Sequence, residues 1–143
     1  MPMIYNSLGK FVQRLDAIQA ITECRAVKLD TAAGNGYVDP PAAGDDGVVG
    51  ILAVGQTRSI VQQAAGKDMV SVERLIYGSV VWWEAGDAIS IGDDLETDSS
   101  GRGVTIADSA TDEWSFRIAI ALEAAAAAGV KIAVFMAPGY ILK

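Results

Sequence analysis

The sequence predicts an all-β domain, a small barrel or sandwich-like fold carrying an internal pseudo-repeat, and three observations lead there. Short segments alternate bulky and small residues, best from Trp114 to Leu122. Clusters of Gly, Asn, Asp and Ser separate these segments about every ten residues, the spacing of strand-and-turn architectures. The same order of strands and turns occurs twice along the chain.

Taken in order, Leu8, Phe11, Val12, Leu15, Ile18 and Ile21 recur at helical spacing. Their β-branched and aromatic content equally allows a strand, so residues 1–21 are set apart as an N-terminal arm or helix. Arg25–Asp30 alternates around Val27 and Leu29, Ala33-Gly34-Asn35-Gly36 supplies an Asn-Gly turn, and Tyr37-Val38 restarts a strand, which together read as a hairpin. Asp39-Pro40-Pro41 ends it, because proline donates nothing to a ladder.

Val48–Val54 is an apolar run between glycines and reads as a buried strand, while Gln56–Lys67 is small and polar and reads as a surface excursion. Val70 to Trp83 is a long β-prone stretch broken at Gly78. Leu95–Asp98, the turn Ser99-Ser100-Gly101 and the alternating Val104 and Ile106 form a second hairpin. Glu123–Ala128 offers a turn of helix stopped by Gly129, and Val130, Ile132 and Val134 alternate as a last strand.

The repeat can be quoted. Leu29–Gly34 corresponds to Leu95–Gly101, Gly50–Val54 to Arg117–Ala121, and Ala64-Ala65-Gly66 to Ala127-Ala128-Gly129, at offsets of 63 to 67 residues.

A chain of 143 residues is the size of one domain. Its formal charge of −7 repels phosphate backbones, which argues against a nucleic-acid partner. The absence of histidine removes the commonest general base and metal ligand, so no enzyme, metal site or cofactor is expected. Cys24 stands alone and can form no intrachain disulfide. With no apolar run of membrane-spanning length and no basic-then-apolar leader, neither a membrane nor a secretory route is expected.

Asp93, Asp94, Glu96 and Asp98 lack the glycine and distal glutamate of a calcium loop and read as turn chemistry. Ser7-Leu8-Gly9-Lys10 matches a serine–lysine pair without its companion motifs, and Gly34-Asn35-Gly36 and Gly101-Arg102-Gly103 are turns rather than phosphate loops. Trp82 and Trp83 are adjacent in a strand, so their indoles point to opposite faces and one is a candidate contact residue. With Trp114 they are the candidate partner-interface residues.

Ala65–Val72 through Gly78, then Glu84–Leu95, Asp98–Arg102 and Ala121–Ala125, preceded by Cys24–Asp30 and Gly50–Val54, resemble the tailed-phage capsid decoration, or cement, proteins over residues 22–137. That resemblance implies that residues 22–143 are a β-rich capsid-binding domain. It would be made in the host cytoplasm and placed on the outer capsid surface of the virion. The implied partners are the major capsid protein and further copies of the chain, with a homotrimer favoured over a dimer, and the implied role is head stabilisation. The alternative is a carbohydrate-binding module that stacks sugars on Trp82, Trp83 or Trp114.

Overall fold

The computed structural model describes residues 4–5, 10–15, 20–30, 37–66 and 69–143. The fold is all-β. Its strands are β1 (Ile4–Tyr5), β2 (Lys10–Leu15), β3 (Ala26–Leu29), β4 (Tyr37–Asp39), β5 (Val48–Leu52), β6 (Met69–Arg74), β7 (Val80–Glu84), β8 (Asp94–Thr97), β9 (Gly103–Thr105), β10 (Trp114–Ala121) and β11 (Lys131–Leu142). A short helix, α1 (Ile60–Ala64), lies between β5 and β6.

Two rings of strands follow one another along the chain. In the first, the order β2-β4-β3-β5-β6 closes when β6 pairs back onto β2 from Lys10↔Glu73 to Arg14↔Met69. In the second, the order is β7-β11-β10-β8-β9, and a single parallel bridge between Ala85 and Gly103 pins its ends together. Ring closure removes the open edges that an isolated twisted sheet of this size would expose.

The internal repeat is present in the backbone. Each ring has one parallel contact, β2 with β4 and Ala85 with Gly103, and otherwise antiparallel neighbours in the same order. The isolated bridge Ile21↔Arg58 recurs as Ile89↔Ala125, 68 and 67 residues further on. Cys24 donates its N–H to Leu52 O at 2.9 Å, and Gly92 donates to Ala121 O at 2.8 Å in the corresponding place. Both residues sit at positive φ, 59° for Cys24 and 91° for Gly92. Glycine adopts that conformation freely, whereas a side chain is strained there.

Each ring is filled by its inward-facing row. Val27, Val38, Leu52, Val70 and Val72 fill the first barrel. Trp83, Leu95, Ala121, Ile132 and Val134 fill the second, and Ala26, Val48 and Ile51 from the outside of the first barrel join that same cluster. Burying this shared face at ~25 cal/mol per Å² of apolar surface is what binds the barrels into one body. Polar contacts reinforce the junction: Ala26 N–H donates to Gly101 O at 2.7 Å and Glu84 N–H to Cys24 O at 2.8 Å. The Arg25 guanidinium clamps the Glu84 carboxylate through Nε and Nη2 at 3.1 and 2.9 Å.

The structure decides one open element and departs from the sequence reading in two places. Residues 10–15, open between helix and strand in the sequence, are a strand, because their backbone is taken up by ladders to β6 and β4. Within the surface excursion, Ser59 caps α1 by accepting from Gln62 N–H while the Gln62 side chain accepts from Ser59 N–H. Residues 123–128 form no helix: the Glu123 carboxylate accepts from Ala133 N–H at 2.9 Å, and Ala125 exchanges backbone bonds with Ile89. The Asn-Gly turn at 33–36 and the serine of the Ser7–Lys10 motif lie outside the described residues.

Candidate protein-binding surfaces

Strand alternation separates the adjacent tryptophans as expected. Trp83 points into the second barrel with 0% exposure, and its Nε1–H donates to Gly101 O at 2.9 Å. It is a core residue, satisfied in the way a buried indole requires, and leaves the set of contact candidates. Trp82 is 48% exposed and Trp114 is 69% exposed, and they belong to two different surfaces.

The first surface is the outer face of β7, β11 and β10. Trp82 lies opposite Ala133, and Leu122 N–H bonds to Ala133 O, while Val80 lies opposite Phe135, which lies opposite Ile120. Tyr77 caps the second row edge-to-face on Phe135, with ring centroids 5.5 Å apart. Tyr77 is 72% and Val80 59% exposed. Two apolar cross-strand rows therefore run side by side across three strands of the barrel wall.

The second surface is a two-stranded ribbon. β7 pairs with β11 only over Lys131–Phe135, and β8 pairs with β10 only at Ala119 and Ile120, so the far ends of β10 and β11 run on together. Trp114 lies opposite Leu142 and Phe116 opposite Tyr140, the latter rings 5.3 Å apart. Trp114, Tyr140 and Leu142 are exposed and Phe116 is half-buried. The Tyr140 hydroxyl donates to the Asp46 carboxylate, which ties the ribbon to the Gly44–Gly47 loop and raises the tyrosine pKa.

A register shift between Arg117 and Ala119 separates ribbon from barrel. Ala137 and Pro138 together oppose Ile118 there, and proline has no N–H for the ladder. The shift changes the face that β10 presents. Phe116 and Ile118 point one way, after which Ala119 and Ala121 turn inward and Ile120 outward.

The carboxylates of Asp93, Asp94 and Asp98 hold the fold locally. Asp93 accepts from Ser90 N–H at 2.8 Å and the Thr105 hydroxyl at 2.9 Å, and Asp98 accepts from the N–H groups of Ser100 and Arg102, each at 2.8 Å. Asp94 pairs with Arg117 at 2.9 Å and Lys143 at 3.0 Å. Burial opposes ionisation of Asp94, but the two cations outweigh it and hold its pKa below the usual carboxylate range. Among the described residues no group of three or more Cys, Asp and Glu is arranged to hold a metal ion. A cleft of about 210 Å³ opens where the barrels meet, lined by Ile21, Arg25, Asp39, Leu52, Ser99 and Ser100. Arg25 is already engaged by Glu84 there.

The sequence pointed to indoles and did not point to Tyr77, Val80, Phe135, Tyr140 or Leu142. Their grouping depends on strand register, which alternation alone does not supply.

No protein-family model and no curated protein matches the chain. Among solved structures, it is similar in fold to the N-terminal base of the head fibre protein gp8.5 of bacteriophage phi29. The TM-score is 0.56 and the identity 16%, over 95% of this chain and 95% of that one. At that identity the similarity is one of fold.

Proposed function

We propose that the chain is a structural protein of a tailed-phage head. In this reading it sits on the outer surface of the virion, binds the major capsid protein as a homo-oligomer, a trimer in preference to a dimer, and reinforces the mature shell. The observation that carries the reading is the fold shared over nearly the whole of both chains with the base of a phage head fibre. The resemblance of residues 22–137 to capsid decoration proteins points the same way.

The β10–β11 ribbon is the surface best suited to a capsid. Its aromatic cross-strand pairs offer the rigid, amphipathic area that dominates protein interfaces. An acidic molecule attached outside the shell also avoids the packaged genome.

The test is co-sedimentation of the purified chain with expanded and with precursor shells. Binding to expanded shells with a marked preference, and at least a tenfold loss of affinity in Trp114→Lys, is the expected result. Absence of affinity for expanded shells would end this reading.

A further inference from the structure

The charge of the chain is unevenly placed. Residues 80–143 carry ten carboxylates and four cations, a balance of −6, while residues 1–79 carry eight and seven, a balance of −1. The ribbon's own two cations are spent on the barrel, since Arg117 and Lys143 both pair with Asp94, at 2.9 and 3.0 Å. The segment that leads into the ribbon, residues 107–113, has three carboxylates and no cation. The Asp108 side chain is 89% exposed and meets Lys143 only at 3.6 Å. Asp112 and Glu113 are exposed, and no cation pairs with either among the described residues. Glu113 and Lys143 exchange both backbone hydrogen bonds, at 2.9 and 3.0 Å, so the ladder fixes this acidic segment directly beside the Trp114–Leu142 pair. At the other end of the aromatic row, the Asp46 carboxylate lies against the Tyr140 hydroxyl. Pleat alternation sends Glu113 to the reverse side of the ribbon from Trp114, so carboxylates surround the tip on both sides.

We infer that the ribbon tip docks on a cationic protein surface, one with an apolar centre and a rim rich in lysine or arginine. Contact with Trp114, Tyr140 and Leu142 supplies the affinity, and the carboxylates about them supply the steering and the choice of partner, as core and rim divide these roles in protein interfaces. Two residues of strand span ~7 Å, so Asp112 and Glu113 stand within the ~10 Å over which charges act at 0.1 M salt. A second copy is a poor match for this tip. Arg25, Lys28, Arg102, Arg117, Lys131 and Lys143 are each engaged by a carboxylate of their own chain and do not offer a cationic rim.

The inference rests on the head-protein reading and gives the partner surface a chemistry. Two measurements test it. The first titrates the full chain with a peptide of alternating lysine and leucine and follows the backbone amide shifts by NMR. The shifts are expected at residues 112–116 and 140–142; shifts on the outer face of β7 instead, or none at all, overturn the inference. The second measures the rate of association with expanded shells for the wild type, for Asp112→Asn combined with Glu113→Gln, and for Asp87→Asn, with thermal melts to check folding. Asp87 lies three residues past Glu84, which pairs with Lys131 at the opposite end of β11 from the ribbon, and so controls for net charge. The ribbon variant is expected to associate about threefold or more slowly at low salt, with the difference gone near ~0.5 M, and Asp87→Asn to match the wild type. A ribbon variant as fast as the wild type at low salt, or an equal loss in Asp87→Asn, overturns the inference and leaves shell binding standing. Amide shifts at the ribbon with no affinity for expanded shells keep this surface and remove the head-protein reading. Self-association of the wild type that Trp114→Lys abolishes would put a second copy on the tip and overturn the inference.

Discussion

Arg25 and Glu84 form the charged clamp between the barrels, and its removal has a size that can be worked out. The Glu84 side chain is 9% exposed and that of Arg25 30%. Truncation of one partner of a fully buried pair costs ~3–5 kcal/mol, because a charge is left behind without compensation. The part-exposed guanidinium lowers this, so Arg25→Met should cost about 2–3 kcal/mol. With an unfolding entropy of ~2.1 cal/mol/K per residue over 143 residues, that is a fall in Tm of roughly 7–10 °C. Replacing both residues, Arg25→Met with Glu84→Leu, removes the stranded charge and should restore most of the loss. The assay is a double-mutant cycle by urea and thermal unfolding. A single variant within ~0.5 kcal/mol of wild type, or a double variant no better than Arg25→Met, would refute the reasoning.

Two further outcomes follow from the structure. Glu96 is partly buried and pairs with no cation among the described residues, and desolvation raises its pKa above the ordinary carboxylate value. The folded state therefore holds its proton more tightly than the unfolded chain, so ionised Glu96 destabilises the fold at neutral pH and this penalty disappears as pH falls below the unfolded pKa. Glu96→Gln should raise Tm at pH 7 and lose its advantage near pH 4; an equal effect at both values would contradict this. Gly50 has no room for a side chain, since a Cβ would collide with the Glu73 carbonyl and Val72. Gly50→Ala should cost at least about 2 kcal/mol, measured by urea unfolding.

How far the sequence was legible depended on whether a signal was local. Alternation within Trp114–Leu122 and the turns at Gly78 and Ser99–Gly101 marked strands correctly, and the repeat offsets of 63–67 residues lie close to the 67 and 68 of the paired bridges. The adjacent tryptophans split inward and outward as a pleated strand requires. The face that each residue of β10 presents was not legible, because the shift opposite Pro138 reverses it midway and comes from the partner strand. Residues 10–15 were ambiguous for the same reason: their state is decided by the ladders from β6 and β4, distant in sequence. The capping signal Ser59-x-x-Gln62 was legible but passed over in a polar stretch. The exposed apolar faces were half visible, through Trp82 and Trp114, and the residues around them emerged only with cross-strand register.

β11 is the longest strand, running from Lys131 to Leu142. Over Val134 and Phe135 it is held on both sides, by β7 and by β10, and beyond them it continues into the ribbon beside β10. Tension applied to the chain near Lys143 along this strand would load many backbone hydrogen bonds in parallel, in shear, instead of peeling them one after another. A protein anchored by its ribbon would pass strain from its attachment point directly into the wall of the second barrel, so in the proposed reading the mechanical path and the binding surface are the same strand.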